Sequence, residues 1–156
     1  MKDLKIISGG QTGVDRGALD AALAAGAPCG GWCPEGREAE DGPIPDRYPV
    51  EVLAGAGYRD RTRANVEAAD ATLIVHFDEL EGGTALTVED CRELHRPHLI
   101  VNAAAEPVDR AAERLRGFVG KHAVKVLNVA GPRASKWAEG AEVARAIVGG
   151  LLSRRA

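Results

Sequence analysis

The chain predicts a three-layer, Rossmann-like α/β domain: an open parallel sheet with helices on both faces. Three observations carry that expectation. Short β-branched or apolar runs alternate five times with longer amphipathic patterns, the rhythm of parallel strands joined by helical crossovers. The first run stops at two glycines, and a third precedes an alanine-rich helical pattern. The length, 156 residues, fits one domain spanning 1–156 with a core of useful size.

The strand-like runs are Leu4–Ile7, Ala27–Trp32, Ala71–Phe77, His98–Asn102 and Val124–Ala130. Helical periodicity covers roughly 14–25, 58–69, 84–95, 106–120 and 138–152. In the first helix Val14, Ala18, Leu19, Ala22 and Leu23 form one stripe, and Gly26 reads as its C-cap. In the last, Ala141, Ala144, Ile147, Val148 and Leu151 face inward, with Arg154 and Arg155 at the negative end of the dipole. Residues 33–57 break the rhythm with Pro34, Pro43, Pro45, Pro49 and several glycines. So long an irregular stretch is either functional or a surface excursion held by Tyr48 and Val50.

A net charge of −3 argues against a general nucleic-acid binder. No apolar run approaches membrane-spanning length and no export leader is read, so a cytoplasmic protein is expected. Cys29, Cys33 and Cys91 are odd in number, which suits reduced thiols better than a disulfide framework. No structural metal is expected, because Cys29 and Cys33 have no nearby histidine and His76, His95, His98 and His122 lack ligand spacing.

In such a sheet the ligand lies beyond the carboxyl ends of the strands. Four distinctive loops follow strands and so converge on one rim. The first is Gly9-Gly10-Gln11-Thr12-Gly13, with Asp15 just inside the helix. Glycines before a helix aim backbone N–H groups and the positive dipole end at one spot, suited to phosphate or another oxyanion. The loop is neither G-x-G-x-x-G nor a P-loop. As a purely structural turn it would use Thr12 as N-cap. Asp15 reads equally as a dipole partner or as a carboxylate facing the ligand.

The second loop contains Trp32 and Cys33. Trp32 is either a flat wall or a core anchor, and Cys33 either a thiol for a soft metal or a packed side chain. The third, Gly82-Gly83-Thr84, repeats the anion logic at a second helix start. Glu89, further along that helix, and Asp15 are the candidates for acid/base catalysis. The fourth loop offers Arg133, Ser135 and Lys136 as a compact anion-binding set. Arg59, Arg61 and Arg63 open another helix, where they serve either an external anion or ion pairs with Asp60, Glu67 and Asp70.

Several stretches resemble the putative molybdenum carrier family, also called molybdenum cofactor carrier proteins. They are Gly9 to Asp20, Gly31-Trp32-Cys33-Pro34, Glu40 to Pro45, Tyr58 with Arg61-Thr62 and Asn65, Asp70 to Ile74, Gly82-Gly83-Thr84, and Leu127 to Lys136. That family looks like a branch of a Rossmann-like group that includes the LONELY GUY phosphoribohydrolases, often mislabelled lysine decarboxylases. Those enzymes carry a Pro-Gly-Gly-x-Gly-Thr-x-x-Glu signature. Here Glu81-Gly82-Gly83-Thr84 lacks the third glycine and the acid is shifted to Glu89.

The resemblance implies a homo-oligomeric carrier, a dimer or tetramer, that binds, protects and transfers the molybdenum cofactor or molybdate without catalysis. Its ligand would be a small anion, the cofactor or another phosphorylated pterin or nucleotide, and its partners cofactor-synthesising or acceptor enzymes. No nucleic acid or membrane is implied. Two alternatives stand beside it: a phosphoribohydrolase-like enzyme cleaving the N-glycosidic bond of a nucleoside monophosphate, and a sensor of a nucleotide-derived signal.

Overall fold

The computed structural model describes residues 3–153. The sequence-predicted helix-terminal Arg154 and Arg155 lie outside them. Among the described residues nine strands and five α-helices follow in the order β1 Lys5–Ile7, α1 Val14–Ala25, β2 Cys29–Gly30, β3 Trp32–Cys33, β4 Glu38–Ala39, β5 Gly42–Pro43 and β6 Glu51–Val52. Then come α2 Tyr58–Ala68, β7 Ala71–His76, α3 Gly82–Glu93, β8 His98–Asn102, α4 Val108–Lys121, β9 Val126–Ala130 and α5 Gly140–Ser153. The predicted three-layer α/β architecture is what the chain adopts.

The central sheet is five-stranded and parallel, in the order β2-β1-β9-β7-β8. Its two faces differ. Alternate residues Leu4, Ile6, Ala71, Leu73, Val75, Leu127 and Val129 pack on α1, α4 and α5 in one aliphatic core. The intervening Thr72, His76 and Asn128 are buried too, but polar, and Asn128 Nδ2 donates to Thr72 Oγ1 at 3.3 Å. The period-two alternation of a strand therefore gives one aliphatic face and one mixed face, where Ile7 and Ile74 are buried beside these polar groups. Helices α2 and α3 pack against each other. Between them Asp90, fully buried, accepts hydrogen bonds from both Arg59 and Arg63. That pairing accounts for cations at the start of a helix.

The predicted strand Ala27–Trp32 is split. Gly31 adopts φ +127°, and a Cβ there would lie 2.0 Å from the Ser8 carbonyl oxygen. The chain turns at that point, leaving β2 in the main sheet and pairing β3 in parallel with β6. Within 33–57, β4 and β5 form an antiparallel pair. Ile44, Tyr48 and Val50 are buried with Leu19 and Cys33 in a second small core. Arg37 secures this stretch by donating to the carbonyls of Ile44, Pro45, Tyr48 and Val50. The Tyr48 hydroxyl donates to Asp20 at 2.8 Å. One stripe residue departs from expectation: Leu23 is exposed, and Leu19 serves this second core instead.

Candidate functional site

Strand β1 lies between β2 and β9, while β7 leads to β8 at the far edge. The loops after β1 and β7 consequently leave in opposite directions, and the crevice between them is the expected ligand position. A cavity of about 390 Å³ opens there, within the range of small-molecule sites.

From the β1 side come Gly9, Gln11 and Asp15. Gly9 is needed for space, since a Cβ would stand 1.8 Å from Nη1 of Arg61. The guanidinium of Arg61 thus packs closely against Gly9, its side chain only 13% exposed. Its carboxylate partner is Asp15, at a long 3.4 Å, and its buried Nε has no acceptor among the described residues. Asp15 also accepts the Gln11 N–H at 3.3 Å. Burial pushes its carboxyl above the ordinary range, against the opposing pull of Arg61 and of the Gln11 and Gly9 N–H groups.

The walls come from other elements. Phe77, after β7, is 51% exposed and meets Trp137 at a ring-centroid distance of 5.7 Å. Tyr58, also exposed, stands across the Arg61 guanidinium at 5.9 Å. Thr84 and Gly83 contribute the start of α3, where Glu79 and Glu81 also line the cavity. Glu81 occupies the N-cap position of α3 without a side-chain cap hydrogen bond. Lys136 lines the opposite loop, and no carboxylate pairs with it among the described residues.

Of the sequence-predicted site residues, the structure brings Gly9, Gln11, Asp15, Arg61, Gly83, Thr84, Arg133 and Lys136 to the cavity. The others lie elsewhere. Gly10 turns toward Ile44 and Val50. Gly13, at φ +85°, is where the first and fourth loops touch, since a Cβ would meet the Pro132 carbonyl at 2.5 Å. Thr12 is not the helix N-cap, a position Gly13 takes. Its hydroxyl instead donates to Glu40 and accepts the Ala134 N–H at 3.1 Å.

Ser135 likewise serves Glu40, its Oγ donating at 2.6 Å and its N–H at 3.1 Å. Arg133 approaches the same carboxylate at 3.6 Å. These hydrogen bonds, Ser135 foremost, hold the Glu40 carboxyl below its usual range. Trp32 is half-buried on β3, its backbone clasped by Asn65 at 2.8 and 2.9 Å. Cys33 is fully buried in the second core, where burial pushes its thiol up. Neither is a cavity wall. Gly82 sits beside the Lys136 ammonium rather than on the lining. Glu89 is exposed and outside the cavity; the buried acid of α3 is its neighbour Asp90.

Sequence reasoning missed Phe77, Trp137 and Asn128. Asn128 stood inside a strand pattern at a position that reads as core, and a polar residue there was the available signal.

The chain matches the model of the circularly permutated YpsA SLOG family over residues 6–152. It is also similar to a solved structure, a putative molybdenum carrier protein from Syntrophus aciditrophicus, at 38% sequence identity and a TM-score of 0.93. The alignment covers 97% of this chain and 96% of that one. No curated protein matches it.

Proposed function

The chain belongs to the circularly permutated YpsA SLOG family, and on that premise we propose that it binds and carries a small anionic heterocycle, the molybdenum cofactor or a related phosphorylated pterin. The observation that carries this reading is Arg61. A guanidinium pressed against the Gly9 backbone, with an unmet N–H and one long ion pair, is a charge prepared for a further anion. Lys136 adds a second cation, and Phe77 with Trp137 supplies apolar ring surface for a flat ligand. The similar protein from Syntrophus aciditrophicus bears the carrier name, which agrees with this chemistry.

The cargo fits the residues present. Arg61 and Lys136 would take its phosphate, and the ring would lie against Phe77. Native mass spectrometry of protein purified from its host tests the reading. Pterin and molybdenum should co-purify with the wild type and be lost in Arg61→Gln. Their absence from folded wild-type protein overturns it.

One observation favours a second reading. Asp15 lines the cavity as a buried carboxyl with a raised pKa, the environment of a general acid. Release of free base from a nucleoside monophosphate, abolished by Asp15→Asn, would make the protein an N-glycoside hydrolase. Glu89, exposed and away from the cavity, has no place in either reading.

A further inference from the structure

The cavity contains polar side chains that the fold buries and leaves with an unused end. Gln11 is 7% exposed, and its Oε1 accepts N–H groups from both Thr12 at 3.1 Å and Glu40 at 2.9 Å. Two backbone donors can be served only by the oxygen, so the amide cannot be turned round. Its Nε2 is therefore a fixed N–H donor without an acceptor among the described residues, on a residue that lines the cavity. Asn128 is 3% exposed, and its Nδ2 is used on Thr72 Oγ1. That leaves Oδ1 as an acceptor with no donor among the described residues, again on the cavity lining. Gln11 lies in the loop after β1, and Asn128 lies in the neighbouring strand β9, where it pairs with Ile7 at the end of β1.

Both ends are left to solvent in the cavity, and a ligand that displaces that solvent without replacing its hydrogen bonds binds poorly. The group that completes both at once is a lactam: a ring carbonyl beside a ring N–H. We infer that Gln11 and Asn128 are specificity-determining residues that read the lactam edge of an oxo-heterocycle, Nε2 donating to the ring carbonyl and Oδ1 accepting from the ring N–H. This rests on the proposed binding of a flat anionic heterocycle and narrows it to 4-oxopteridines and 6-oxopurines. An amino-heterocycle presents the inverse pattern, with an amino group where the carbonyl stood and a bare ring nitrogen where the N–H stood. Against it the Gln11 donor faces a donor and the Asn128 acceptor faces a lone pair. A site built on hydrogen bonds rejects such a mismatch far better than an apolar pocket rejects a change of size.

The test is calorimetric titration with matched ring pairs: pterin-6-carboxylate against 2,4-diaminopteridine-6-carboxylate, and inosine against adenosine monophosphate. The oxo member of each pair should bind at least about tenfold tighter. Gln11→Glu keeps an oxygen for the Thr12 and Glu40 N–H groups and turns the donor into an acceptor. It should collapse or reverse the oxo preference. Asn128→Ala should reduce the preference without touching Gln11, and it carries the test if Gln11→Glu does not fold; thermal unfolding establishes which variants do. Equal affinities within both pairs, no binding of any probe, or a preference unchanged in both folded variants overturns the inference. The outcome is separable from that of the carrier reading. An oxo preference without co-purified molybdenum sinks the cargo and keeps the edge reading, while co-purified cofactor with no ring preference does the reverse.

Discussion

Where the loops after β1 and β9 meet, Thr12, Arg133 and Ser135 close around the carboxylate of Glu40, whereas around Gly9 the guanidinium of Arg61 meets one distant carboxylate and Lys136 meets none among the described residues. Both places gather hydroxyls, N–H groups and cations at the turn from a strand. One is filled by the chain itself, the other borders a cavity. A cluster of anion-binding groups therefore marks a ligand site only where the fold has not already supplied the anion. Here a carboxylate from the β4–β5 hairpin converts one such cluster into a clasp that ties residues 33–57 to the rim.

The sharpest way to break this contrast is to place a methyl group at matched glycines. In Gly9→Ala the new carbon meets only the end of a flexible side chain, so Arg61 must leave its seat while the backbone stays. Binding of pterin-6-carboxylate should fall about a hundredfold, as expected for losing a buried charge contact, with melting temperature little changed. In Gly13→Ala the new carbon meets the Pro132 backbone at a positive φ, and stability should fall by about 2 kcal/mol or more. Loss of stability in both would mean that Gly9, like Gly13, is only a packing position. Lys136→Ala comes next, with about a fivefold loss of affinity for an exposed cation and a weaker dependence on salt. An unchanged salt dependence removes Lys136 from the site.

The order of elements and the identity of the rim were legible in the residues, because hydrophobic period and glycine punctuation are local signals. Every predicted helix stands, with ends moved by no more than two residues, and four of the five strands stand where β-branched runs placed them, the run Ala27–Trp32 being split between β2 and β3. What failed to show was which way side chains face after a turn. Cys33 follows Gly31, whose φ of +127° swings the chain into a separate two-stranded pairing and buries the thiol. Glu89 and Asp90 are neighbours on one helix, and only the fold decides that Asp90 lies inward against Arg59 and Arg63. Trp137 was hidden for a related reason. It lies beyond the fourth loop, and its meeting with Phe77 joins residues far apart in the chain.

Asp15 gives a smaller and more diagnostic effect. Its folded pKa is raised by burial, so its protonation favours the folded state. That contribution is complete below the ordinary carboxylate range and is lost as pH rises through the raised folded value. An anion held by Arg61 is repelled by ionised Asp15, so affinity for pterin-6-carboxylate should rise on acidification through the same window. Asp15→Asn should bind a few-fold tighter at neutral pH and lose that pH dependence. A variant that binds more weakly would show that Asp15 holds Arg61 in place rather than competing for it.

Glu40 has the opposite sign and the smallest effect. Its folded pKa is lowered, Ser135 contributing most. Its contribution is present above the ordinary carboxylate range and is lost as pH falls through the depressed folded value. Because the clasp sits at the exposed edge of the rim, Glu40→Gln should lower stability by less than about 1 kcal/mol. Proteolysis within 33–57 should quicken, and affinity at the Arg61 cavity should hold, since no residue of that stretch lines it. Titration with inorganic phosphate is the decisive readout. If Glu40→Gln takes up a second anion per chain at Arg133 and Ser135, that cluster is an oxyanion seat that Glu40 keeps occupied; if it takes up only one, the groups around Glu40 are arranged for a carboxylate and the clasp is purely structural.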